Sequence, residues 1–211
     1  MSVRTITSAC LDIKDKLRLK LSIFLYNRLR LKTLIRKVSG HRPVRVMFYV
    51  NNLSMWKSDK LLLLLREDKR FQPFVVSFLY SVDSLKRQQE LENEISAHFN
   101  KMGIEYRCGF DFEKNSLLPV SDFKPDIVFY PQPYRDKFRH LPSGVLFSYI
   151  PYCIEMDKTP HAANSLYQNI CWKYFVPTEY HKQVKASVNY NKGANVVVTG
   201  SPISDYFLDG H

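Results

Sequence analysis

Past Pro43 the chain alternates between short dense apolar runs and longer stretches in which apolar and polar residues mix. The runs VRVMFYVN (Val44 to Asn51), FVVSFLY (Phe74 to Tyr80), IEYRC, PDIVFY, VLFSYI, WKYFVP and NVVVT are too short for helices. They are rich in β-branched and aromatic residues, which predicts seven strands. Between them SDKLLLLLRED predicts a helix from near Ser58, and residues 84–102 predict a second, capped by Ser84 or Asp83 and stopped at Gly103. A third runs from Thr178 to about Ser187. Strands alternating with helices predict βαβ units, hence an α/β fold with a Rossmann-like, mostly parallel sheet. Near-continuous apolar strands fit a sheet covered on both faces.

Before Pro43 the pattern is different. Leu11 to Val38 contains no Gly or Pro and is dominated by Leu, Lys and Arg, which predicts one long helix. Ile13, Leu17, Leu21, Phe24, Leu31, Ile35 and Val38 share a stripe that Arg28 interrupts. Residues 1–45 carry twelve Lys and Arg against Asp12 and Asp15, a net of +10, and the rest of the chain adds +1 to reach +11. Three readings fit a basic amphipathic arm of residues 1–42: a helix lying on an anionic membrane surface, a helix packed on its own domain or a partner, or nucleic-acid binding. The last is disfavoured, because the arm has few aromatics and the domain behind it is near neutral.

The 211 residues suffice for one domain with a real core plus an appendage. No run of about 18 apolar residues occurs, and no signal peptide is recognisable. Cys10, Cys108, Cys153 and Cys171 are widely spaced, which favours reduced thiols in the cytoplasm over a disulfide framework or a zinc site. The six histidines form no metal-ligand spacing, so no metal is expected. With seven glycines and neither G-x-G-x-x-G nor G-x-x-x-x-G-K-[ST], the chain offers no phosphate-cradling loop, and no cofactor is expected.

In a parallel sheet ligands bind beyond the carboxyl ends of the strands. Asn51 and Asn52 follow the first predicted strand. Tyr130, Gln132 and Tyr134 follow the fourth, with Pro131 and Pro133 between them. Tyr149, Tyr152 and Glu155 follow the fifth. Tyr offers a flat apolar face and a hydroxyl, Gln both a donor and an acceptor, and Pro fixes the loop, which suits a hydroxyl-bearing ligand. The same tyrosines would also serve to cap the sheet edge. Glu155 is the best-placed carboxylate for a general base, although a solvated or ion-paired glutamate reads identically. After the last strand, Gly200 and Pro202 form a hinge.

Five stretches in order, FYVNNLSMWKSDKLLLLLREDKRFQPFVV, KPDIVFYPQPY, SYIPYCIE, WKYFVPTEYHK and NKGANVVVTGSPISD, resemble the N-terminal domain of the CDP-glycerol glycerophosphotransferase family. These are GT-B transferases of teichoic-acid and related surface-polymer synthesis. The resemblance covers about Val44 to Asp205. It implies the acceptor-binding half of a GT-B fold over residues 43–205, with residues 206–211 starting a linker toward a C-terminal donor domain. It further implies a lipid-linked polymer or glycan acceptor, peripheral attachment to the inner face of the membrane, and little activity without the donor domain. The family's W-H-G-T-P motif is replaced here by SYIPYCIE, which lacks the histidine, so the acceptor chemistry is expected to differ. The alternative from another class is a non-catalytic domain that binds a glycan or a partner at the membrane surface.

Overall fold

The computed structural model describes Leu17, Leu21, Leu25, residues 28–36, Ser39, 42–79, 84–131, 144–154, Asn164 and 166–208. Seven strands form one sheet: β1 (Val44–Val50), β2 (Phe71–Ser77), β3 (Tyr106–Arg107), β6 (Ile127–Tyr130), β7 (Leu146–Tyr149), β8 (Lys173–Val176) and β9 (Val196–Val198). Their order is β3-β2-β1-β6-β7-β8-β9, and every pairing is parallel. The expected Rossmann-like α/β fold is therefore present. Chain order reverses between β1 and β6, which makes that pair the topological switch point.

Alternate residues of each strand feed two cores. Met47, Tyr49, Phe74, Val76, Tyr130, Phe147, Tyr149 and Tyr174 pack on one face, and Val46, Phe48, Val50 and Val75 on the other. The second face is covered by helices α2 (Asp59–Glu67) and α3 (Leu85–Lys101), through Leu62 and through Leu91, Ile95 and Phe99. Ser84 caps α3 as its sequence predicts, its hydroxyl accepting from the Arg87 N–H at 3.2 Å. Gly103 ends it in the left-handed region. The first face is covered by α4 (Val120–Phe123) and α5 (Leu166–Ile170), through Phe123 and Ile170. Helix α6 (Glu179–Val188) joins them, laying the buried Lys185 ammonium over the Tyr174 ring. Helix α7 (Pro202–Leu208) follows β9 and runs into residues 206–208, which were expected as the start of a linker.

The second strand starts at Phe71, three residues before the expected Phe74. Pro73 lies inside the strand and pairs in register with Val46 of β1. The Val75 N–H donates outward to the Glu105 carbonyl, so position 73, two residues earlier, presents its nitrogen to the same side. There β3, which pairs only with Val75 and Val76, has not begun. The missing N–H therefore has no ladder bond to lose. A small hairpin, β4 (Phe110–Asp111) with β5 (Ser116–Leu117), was not apparent in the sequence pattern.

Helix α1, helical at Leu17, Leu21 and Leu25 and through residues 28–36, lies against the domain. Leu34 is buried beside Ile127 and Leu146, the first residues of β6 and β7. The Arg30 guanidinium donates to the Val145 carbonyl at 2.9 Å. Of the expected apolar stripe, Leu17, Leu21, Leu31 and Ile35 are exposed, while Leu34, outside that stripe, makes the contact. Ile13, Phe24 and Val38 lie outside the described residues.

Candidate functional site

A cleft of about 360 Å³ opens at the carboxyl edge of the sheet. Phe129 and Phe175, the penultimate residues of β6 and β8, form its floor with Ile150, Pro151 and Pro177. One side is Lys57 and Leu61, from the start of α2 and the turn before it. The other is Thr199, Gly200, Ser201, Ser204 and Asp205, from the exit of β9 and the first turn of α7. Gly200, at φ +85°, supplies the left-handed bend that turns the chain from strand to helix, and Pro202 starts that helix without needing an N–H.

A buried asparagine network holds this wall in place. Asn195, just ahead of β9, donates through Nδ2 to the carbonyls of Gln168 and Cys171 at 2.8 and 2.9 Å. Asn191 donates to the Asn169 carbonyl and to Asn195 Oδ1. The Asn169 side chain accepts from the Asn191 N–H and donates to Asn164. Thus α5, the turn before β9 and β9 itself are one hydrogen-bonded unit. Burial pushes the Cys171 thiol well above its ordinary pKa.

Next to the cleft, a slot of about 10 Å³ lies at the switch point, between Trp56, Tyr130, Pro131, Pro151 and Tyr152. The Trp56 indole donates to Asp59 at 2.6 Å, and its ring packs edge-on against Phe48 and Phe99.

The residues proposed from sequence divide as follows. Tyr130 and Tyr152 are brought together at the slot. Tyr130 and Tyr149 are buried, their rings against Tyr49 at 5.0 Å and Tyr174 at 4.8 Å. Most of their surface is thus engaged in the core. Asn52 caps a short 3-10 turn, Leu53–Met55, by accepting from the Ser54 N–H at 2.8 Å. Asn51 is 4% exposed, and its Oδ1 has no hydrogen-bond partner among the described residues. It is a buried acceptor at the switch point. Gly200 and Pro202 are on the cleft wall. Gln132, Tyr134 and Glu155 lie outside the described residues. Phe129, Phe175, Thr199 and Asp205 were not singled out from sequence. Their signal is positional: Phe129, Phe175 and Thr199 are at or just beyond the carboxyl end of a strand, Asp205 is in the first turn of the helix after β9, and the two phenylalanines alternate with buried neighbours.

The cleft thus offers a hydrocarbon floor, three hydroxyls, a lysine and an aspartate. Such a lining suits a ligand with an apolar body and hydroxyl or phosphate groups. Among the described residues no group of three or more His, Cys, Asp or Glu could hold a metal ion. Comparison with protein-family models, with curated proteins and with solved structures gives no match.

Proposed function

We propose that this chain is the acceptor-binding half of a GT-B transferase resembling the CDP-glycerol glycerophosphotransferase family, acting at the inner face of the membrane. The observation that carries this reading is the exit of β9. The T-G-S-P stretch leaves the last strand of the sheet at the rim of the cleft and lines it, where a facing domain would complete a two-domain site. In the chemistry this family implies, an acceptor hydroxyl attacks the glycerol-bearing phosphorus of CDP-glycerol. The phosphoanhydride bond breaks, CMP leaves, and the hydroxyl proton passes to a base or to water. The donor contacts belong to the facing domain. This chain's part is to bind and orient the acceptor, with Phe129 and Phe175 under its apolar portion and Lys57 near its phosphates. The basic arm supports attachment to an anionic membrane surface. Among the described residues no helix is long and apolar enough to cross a bilayer. A second reading, a glycan- or partner-binding module without catalysis, is favoured by the predominantly hydrocarbon floor.

The exposed Cys153 lines the cleft and provides a direct test. A short lipid-linked glycerol phosphate acceptor should slow labelling of Cys153 by a thiol reagent by about tenfold at saturation, as expected for a site occupied most of the time. Labelling at the same rate with and without acceptor defeats the assignment.

A further inference from the structure

We propose that the amino-terminal edge of the sheet is a fixed docking surface for an anionic bilayer, in which α1 presents leucines to the lipid interface and an adjoining basic cleft receives a headgroup phosphate. The proposal rests on the membrane-attached reading above and specifies the surface that such attachment would use.

Leu34 and Arg30 fasten α1 to the domain, so the helix is a strut rather than a loose tether. At 3.6 residues per turn Leu25 lies about opposite Leu34, with Leu21 and Leu29 beside it. All three are exposed, Leu29 to 60%. Arg28, Lys32 and Arg36 fall among them and are exposed as well. A face that mixes leucines with cations fits the headgroup layer of an anionic membrane, where long basic side chains keep their charge at the phosphates while the leucines reach the acyl boundary.

A basic cleft adjoins α1 at Val145. Its volume is about 530 Å³, and it is lined by Arg42, Arg45, Lys124, Ser121 and Asp126, with Val145, whose carbonyl Arg30 holds. Arg45 donates to the carbonyls of Phe123 and Lys124 and to Gln72, which fixes its guanidinium at the wall. Arg42 is held by Asp126. Lys124, in the left-handed conformation that ends α4, carries an exposed ammonium at the rim. Three cations against one carboxylate leave a net positive cleft beside a membrane-seeking helix. The surface complements an anionic bilayer in charge, whereas a second copy of this chain would bring the same positive charge against it.

The full chain is tested by sedimentation with vesicles of phosphatidylglycerol mixed with phosphatidylcholine, and with phosphatidylcholine alone. Binding should require the anionic lipid and weaken as salt is raised. Leu25→Gln with Leu29→Gln should lower affinity about tenfold, and Lys124→Gln about fivefold, with melting temperature unchanged because these side chains are exposed. If the unaltered chain binds neither vesicle, the membrane-attached reading and this surface both fall. If it binds and the substitutions change nothing, that reading stands and this surface is wrong. Release from vesicles by millimolar inorganic phosphate with Leu25→Gln/Leu29→Gln binding intact would make the cleft a site for a soluble anion. A dimer in gel filtration that those substitutions dissolve, without loss of vesicle binding, would make the helix face a contact between copies. Either result overturns the proposal.

Discussion

Arg42 grips the carboxylate of Asp126 through two hydrogen bonds, of 2.7 and 2.8 Å, with the carboxylate side chain 2% exposed and the guanidinium side chain 40% exposed. Asp126 also accepts the Arg45 N–H at 2.9 Å, so it ties the start of β1 to the start of β6. The asymmetry in exposure decides the consequence of removing each partner. Arg42→Ala leaves a buried charge with one remaining donor and should cost about 3 kcal/mol, the low end for a broken buried pair because water reaches the vacated side. Asp126→Ala removes the charge that needs shelter but strands the Arg45 N–H, and should cost less, about 1–3 kcal/mol. Urea unfolding of both variants checks the order; equal or reversed losses contradict it.

Two glycines are needed for opposite reasons. At Gly109 the backbone is ordinary, but a Cβ would collide with the Ser77 carbonyl oxygen and stand 2.7 Å from Val76 Cγ1. Gly109→Ala should therefore push the hairpin away from β2 and cost about 3 kcal/mol or more. At Gly200 nothing lies within 4 Å of the Cβ position, but φ is +85°. Gly200→Ala should cost only about 1–2 kcal/mol, all of it backbone strain. Thermal melts of the two variants measure the difference. A larger loss at Gly200 than at Gly109 would contradict both assignments.

Alkaline pH should weaken the fold through Cys171. Its thiol pKa is raised by burial, so between about pH 8.5 and the folded value the unfolded chain loses the proton that the native chain keeps. Stability from this group is complete below about pH 8.5 and falls by roughly 1.4 kcal/mol per pH unit above it. Tyr49, raised for the same reason, adds to the fall from about pH 10 upward. Unfolding free energies of Cys171→Ser measured across this range should decline less steeply than those of the unaltered chain, by about that slope. Parallel curves would show that Cys171 does not contribute.

Leu34 is the apolar bond between α1 and the sheet. Leu34→Ala should cost about 2–3 kcal/mol, at the lower end for a buried leucine, because its neighbours Ile127 and Leu146 remain supported by the strands on either side. Leu29→Ala, on the exposed side of the same helix, should change stability by less than about 0.5 kcal/mol. Similar losses at the two positions would mean that α1 is not docked as described.

The sheet was legible because its strands are apolar on both faces and bounded by Pro, Gly and Asn, a pattern that few other structures produce. Helix α3 was legible because Ser84 and Gly103 mark its ends. The register of β2 was not, because the effect of Pro73 depends on whether a neighbouring strand reaches that point, a fact that resides at Tyr106, more than thirty residues away. Helix α1 was expected, but its buried position is set by one leucine that meets Ile127 and Leu146, and helical periodicity alone cannot choose among several leucine stripes. At the site, topology located the carboxyl edge from sequence. It could not tell Tyr149, whose ring turns into the core against Tyr174, from Phe175, one residue farther along β8, which faces the cleft.

Pro73 has a consequence beyond its own strand. Because β3 pairs only with Val75 and Val76, no strand among the described residues borders the first half of β2, where backbone amides could recruit an extended segment from another molecule. A proline there withholds one donor from any such guest strand and interrupts the repeat that a growing stack would need. Pro73 thus works against polymerisation of the chain through this edge.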